Sequence, residues 1–270
     1  MRPMLSRRAG IWPFVALALV VGIAALLIPR TDLPPSYHHF ADQRSWLGIP
    51  NFGDVGSNVT FLLSGLWGLV FLSSKSSLSQ FVDAGERWPY LVVFLGMLLT
   101  TFGSAYYHLA PDNDRLVWDR LPMTVVFMSL VAALIAERVN LKLGLWLLPI
   151  LTTVGLASVI HWRWTVRQGT GDLRFYGPVQ FYAVLALFVV LLLPPRYTRG
   201  SDLLVVAGLY ALAKICEAAD QQIFALGHVV SGHTLKHLAS GIAGFWILRM
   251  LQERQPVHLT ELDRRFYPRR

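Results

Sequence analysis

Long apolar runs separated by short polar connections organise this chain. Runs near the about 17 to 25 residues a helix needs to cross a bilayer lie at roughly 11–28, 58–73, 90–109, 117–136, 143–160, 176–193, 202–218 and 233–251. The pattern predicts eight helices, or seven if the first is a cleaved signal. The longest polar stretch before the bundle, 29–57, holds four prolines and several Gly- or Asn-containing turns, which argues against regular structure there. It is expected to cap the helix ends. The other connections are short, and the longest, roughly 161–175, carries two tryptophans suited to an interfacial aromatic belt. There is no internal repeat and no second soluble domain.

Composition agrees with lipid as the solvent. Hydrophobic residues make up 54% of the 270, charged residues 15%, and mean hydropathy is +0.47, too little polar surface for a water-soluble globule of this size. The fold class expected is therefore all-α, a polytopic membrane protein. Lys and Arg orient it, because short cytoplasmic loops carry the positive excess. With the N-terminus inside, 15 of the 24 Lys and Arg fall on the cytoplasmic side, which favours both termini inside.

Arg2, Arg7 and Arg8 before the first apolar run resemble a signal sequence, but the run is long and no clean small-x-small cleavage site follows. The division expected is a signal anchor or transmembrane helix at 1–28, an extracytoplasmic cap at 29–57, a seven-helix catalytic bundle at 58–251 and a basic cytoplasmic tail at 252–270. Six arginines from Arg249 onward suit anionic headgroups. The net charge of +8 thus implies a membrane surface and no nucleic acid. Cys216 is the only cysteine, which excludes an intrachain disulfide or a zinc-thiolate site. A metal here is held by His and carboxylate.

Ionisable residues inside lipid-facing sequence are costly and mark function. Ser104 and His108 are four apart near the end of one run, and so share a helix face. After the turn Pro111–Asp114, a helix starting near Leu116 returns Asp119, in its first turn, to the depth of His108. His233 and His237 share a face of the last helix by the same spacing. In an alternating topology all these residues fall at the extracytoplasmic ends. Three imidazoles with one open position is how catalytic zinc is held, and His108, His233 and His237 fit. Zinc lowers the pKa of its water towards about 7 and polarises a carbonyl. Asp119 is the candidate proton acceptor and donor, and Ser104 a hydrogen-bond donor to the oxyanion or an orienter of the water. Plainer roles stand beside these: Asp119 as a helix N-terminal residue favoured by the dipole, Ser104 as a small packing residue, and Glu217 and Asp220 as part of a polar cavity or partners of Lys214. Solvated histidine is the default for His38, His39, His161, His228 and His258.

The pattern Gly103-Ser104-x3-His108, ten residues, Asp119-x-Leu121-Pro122-Met123, and later His233-x3-His237-Leu238-x-Ser240-Gly241 resembles the alkaline ceramidase family of the membrane hydrolase superfamily that also includes adiponectin-receptor-like proteins. The resemblance covers roughly 42–251. It implies a seven-helix core, zinc on His108, His233 and His237 with Asp119 and Ser104 assisting, and hydrolysis of the amide of a ceramide-like lipid to a fatty acid and an amine base. It also implies a calcium site before the first core helix, for which Asp42, Asn51 and Asp54 are the candidate ligands, with Trp46 and Asn58 beside them; the family's acidic run is absent. Where the family shows an aromatic residue and Asp, this chain has Lys214 and Glu217. The expected enzyme is a zinc-dependent amidohydrolase of a bacterial inner membrane, acting on a membrane lipid with its site facing outward. The rival readings are a zinc-containing receptor or lipid sensor without turnover, and a transporter relaying protons through Asp119, Glu217 and Asp220, although no repeated halves support the latter.

Overall fold

The computed structural model describes residues 9–257 and is helical, with no strands among the described residues. The leader arginines, His258 and the tail beyond residue 257 lie outside the described residues. Ten α-helices run in order: α1 (Trp12–Leu27), α2 (Phe52–Gly56), α3 (Val59–Ser73), α4 (Arg87–Leu109), α5 (Asn113–Arg138), α6 (Leu141–Arg167), α7 (Tyr176–Leu191), α8 (Asp202–Ala218), α9 (Asp220–Ala225) and α10 (Gly232–Glu253). Four helical stretches are long and apolar enough to cross a membrane, namely Phe52–Ser73, Ala84–Leu109, Asn113–Arg138 and Leu141–Arg167, while α1 and α7 are shorter apolar helices.

Each helix start near the histidines follows from a local signal. Asp112 accepts the Arg115 N–H at 2.7 Å to open α5, and Ser231 accepts the Thr234 N–H at 3.0 Å to open α10, satisfying donors that a helix N-terminus leaves bare. Because Asp112 is the cap, α5 begins at Asn113, earlier than Leu116. Asp119 therefore falls in the second turn, where it is buried.

Helix α4 packs between α3 and α5, α5 also lies against α6 and α7, and α10 joins α8 to α3; α1 lies against α7 on the outside. Close approach is set by small residues, as in membrane bundles generally. Gly103 lies directly on the Trp118 carbonyl of α5, where a Cβ would overlap it. Pro122 is why that carbonyl is available: it has no N–H to bond back to Trp118.

Two boundaries differ from the hydropathy pattern. The segment 161–167, expected as connection, completes α6, with Arg163 and Arg167 both paired to Asp114. His161 is correspondingly a half-buried helical residue and not a solvated loop histidine. The cap is irregular as expected up to Asn51, with a short 3-10 turn at Pro35–His38, but Phe52–Gly56 is helical.

The end of the bundle opposite the histidines is closed by a buried charge network. Arg254, 1% exposed, donates to Glu137 at 2.6 Å and stacks on Tyr197 with its guanidinium carbon 3.9 Å from the ring centre. Glu137 also accepts from Tyr90 at 3.0 Å and lies 3.3 Å from Arg138. Glu86 receives the Tyr197 hydroxyl and pairs with Arg196 at 3.0 Å. Removing one partner of such a pair strands a buried charge, at a cost of about 3–5 kcal/mol. Glu137→Ala should lower thermal stability in detergent by that amount, while the double variant Glu137→Ala, Arg254→Ala should lose clearly less than the sum of the two single losses. Additive losses would show that the pair is not coupled.

Candidate metal centre

His108 occupies the last turn of α4, and His233 and His237 the first two turns of α10. The three rings, 0%, 6% and 3% exposed, form a triangle with centroids 4.8, 5.0 and 4.9 Å apart. Their ligand nitrogens all lie within 4.8 Å of one another. A single ion about 2.0–2.1 Å from each nitrogen spans at most about 4 Å between them, so the rings draw in by up to about 1 Å to share one. The sequence thus placed in one group three residues that the fold does bring together, across the 125 positions from His108 to His233.

The chemistry of the donor set fits a cation. Neither nitrogen of His108 has a hydrogen-bond partner, although both are buried, an expensive arrangement for a polar group left alone. His237 is oriented by its other nitrogen: Nδ1 faces the Asp54 carbonyl oxygen at 3.1 Å and Ser57 Oγ at 2.9 Å. A carbonyl can only accept, so Nδ1 carries the proton and the Nε2 lone pair is free for a metal. His233 is different. Its Nε2 lies 3.3 Å from Lys236 Nζ, which also donates to Glu217 at 2.7 Å. A metal bound through that nitrogen takes the lone pair that now accepts from the ammonium.

The cap and the helix ends fix these rings. Asp220 accepts the His233 N–H at 2.7 Å through one oxygen and the Ala41 N–H at 2.9 Å through the other, joining α9, the start of α10 and the cap. Asn51, in the left-handed backbone region at φ 47°, donates to the His108 carbonyl at 2.8 Å. Asp54 Oδ1 accepts from the Thr234 hydroxyl at 2.8 Å. Asp42 is engaged by Arg44 through two contacts of 2.7 Å, which hold its carboxyl below the usual carboxylate range. Of the candidate calcium ligands, Asp42 is thus held by Arg44 and Asn51 is engaged only through its Nδ2, while Asp54 Oδ2, like Asn58 Oδ1, is buried without a hydrogen-bond partner. Phe40 covers the centre, its ring 4.7 Å from His108 and 4.4 Å from His233.

Asp119 and Ser104 line, together with His237, a cavity of about 320 Å³ beside the triangle. Ser104 Oγ is buried without a partner. Glu217 pairs with both Lys214 and Lys236, as half expected, whereas Asp220 pairs with neither and holds backbone instead. His38 is no solvated histidine: it bridges Tyr107 Oη at 2.9 Å and Asn113 at 3.0 Å. His39 and His228 are exposed. Sequence reasoning passed over Arg120 and Lys236, which also line the cavity; a cation within an apolar run was the signal for Arg120, and its place between the two histidines the signal for Lys236.

No protein-family model matches the chain, and no curated protein matches it. Elemental analysis of the purified protein should find about one transition-metal equivalent per chain. His108→Ala, His233→Ala and His237→Ala should each reduce it to background while the helical circular dichroism persists. Full metal content in all three variants would exclude this centre.

Proposed function

We propose that this chain is a zinc-dependent amidohydrolase of a membrane, cleaving the amide of an N-acyl lipid of the ceramide kind to a fatty acid and an amine base. The observation that carries the reading is the convergence of three buried imidazoles, one with both nitrogens unpartnered, beside a cavity lined by Asp119 and Ser104. On this reading α1, α3, α4, α5, α6, α7, α8 and α10 cross the bilayer, the last seven forming the bundle, with the histidine end outward as the distribution of Lys and Arg favours. The likeness of Gly103–Met123 and His233–Gly241 to the alkaline ceramidases supports the same assignment.

His108, His233 and His237 would hold the zinc, which when bound supplies Lewis-acid polarisation and acidifies water. Asp119 takes the proton of the attacking water and returns one to the leaving amine. Buried Ser104, with its hydroxyl unpartnered, donates to the oxygen on which negative charge develops. The acyl chain lies in the apolar part of the cavity, and Phe40 keeps bulk water from the rings.

Purified protein loaded with zinc should release fatty acid from a panel of N-acyl lipids. Asp119→Asn should slow this by about 10²- to 10⁴-fold with the metal retained, and Ser104→Ala by about 10²-fold. Zinc bound without release from any lipid would instead favour a receptor or lipid sensor.

A further inference from the structure

The charged lining of the cavity is unbalanced. Arg120, Lys214 and Lys236 face it against Asp119 and Glu217, three cations to two anions before any metal is counted. Glu217 is shared between the two lysines, at 2.7 Å from Lys236 and also in contact with Lys214, so one carboxylate answers two ammonium groups.

Arg120 is 4% exposed. Its guanidinium lies over the rings of Trp162 and Tyr176, with the central carbon 4.2 and 4.4 Å from the ring centres, and Tyr37 is a third ring at 5.6 Å. Stacking satisfies the faces of the guanidinium and leaves its N–H edge to a planar acceptor. Part of that edge is left open by the protein: Nη1 is buried without a hydrogen-bond partner, and so is the Tyr210 hydroxyl on the same cavity wall. Deeper in, the wall becomes apolar, with Phe127, Leu130, Val184, Leu187, Val206 and Ile247. A void of about 320 Å³ is at the lower end of the range for small-molecule sites.

We infer that this cavity selects an amphiphile with an anionic headgroup, the oxyanion seated on Arg120 with Lys214 and Lys236 near it and the acyl chain in the apolar part. The substrate half of this inference rests on the amidase reading; the recognition half does not. An anion here completes the charge pairing and fills the buried donors, while a neutral headgroup leaves both wanting. Arg120 is then the specificity-determining residue, and the lysines set the field that draws the anion in.

The test compares N-oleoylglycine with the neutral N-oleoylethanolamine on the full chain in detergent, by equilibrium binding to metal-free protein and by turnover with zinc. N-acetylglycine is the arm for a free small anion. The acidic lipid should bind at least about tenfold more tightly than the neutral one, as a charge-assisted hydrogen bond implies, and N-acetylglycine far more weakly. Arg120→Gln should abolish the preference and Arg120→Lys restore part of it. Lys214→Gln, at a side chain 44% exposed and so safe for the fold, should reduce it. If no lipid is hydrolysed but the preference and its loss in Arg120→Gln persist, the amidase reading fails and the anion site stands. Equal or tighter binding of the ethanolamide overturns the inference whatever the turnover, and N-acetylglycine binding as well as the oleoyl compound overturns the lipid part of it.

Discussion

Every polar group carried into this apolar bundle must meet a partner, and the two ends of the bundle answer that constraint differently. At one end Glu86, Glu137, Arg138, Arg196 and Arg254 are set against one another, each charge facing an opposite one. Such a network holds α4, α5 and the segments around residues 197 and 254 together by opposite charge, although Arg196 Nε and Arg254 Nε and Nη2 within it are buried without a hydrogen-bond partner. At the other end the backbone is tied down as thoroughly, through Asp220, Asn51 and Ser231, yet the His108 ring, the Ser104 and Tyr210 hydroxyls and Arg120 Nη1 are left without hydrogen-bond partners. Burying an unmet polar group costs about 1–3 kcal/mol; at the histidine end such groups sit in and beside one cavity, whereas at the charged end the unpartnered nitrogens of Arg138, Arg196 and Arg254 belong to guanidinium groups already paired with Glu86 or Glu137.

Much of this was legible in the sequence because helix spacing is rigid. Residues four apart lie on one face, so Ser104 with His108 and His233 with His237 could be read as pairs. Less visible was what ends a helix. Hydropathy reports the thickness of apolar surface, and the stretch from His161 to Arg167 looked like connection; its helix continues because Arg163 and Arg167 find Asp114 across the gap and Thr165 bonds back to Trp162. Contacts made through irregular backbone were invisible too. Asp220 reaches His233 only because the chain breaks at Ala219 and starts a new short helix, and no periodicity describes that. His38 found Tyr107 and Asn113 for the same reason.

The cap is more than a cover. Its main chain orients His237 through the Asp54 carbonyl, its Asn51 closes the end of α4 at the His108 carbonyl, and its Ala41 N–H occupies the Asp220 oxygen that His233 leaves free. Three histidines on two helices are thereby referred to one segment. The residues singled out as oxygen ligands for a second cation also serve this purpose: Asp42 is held by Arg44, Asn51 donates through Nδ2, and Asp54 spends one side-chain oxygen and its carbonyl while Oδ2 is left without a partner.

Lys236 stands between the candidate metal centre and the proposed anion site. An ammonium 3.3 Å from His233 Nε2 opposes a divalent ion at the same nitrogen, both by charge and by competing for the lone pair. Glu217 offsets this because it holds the ammonium at 2.7 Å. A carboxylate that also contacts Lys214 is only half available to Lys236, so the anion proposed for the cavity would give the lysine a second partner and relieve the opposition between ammonium and metal. On the proposed reading, headgroup and metal would favour each other's binding, a coupling that must be reciprocal and that a neutral headgroup has no means to supply.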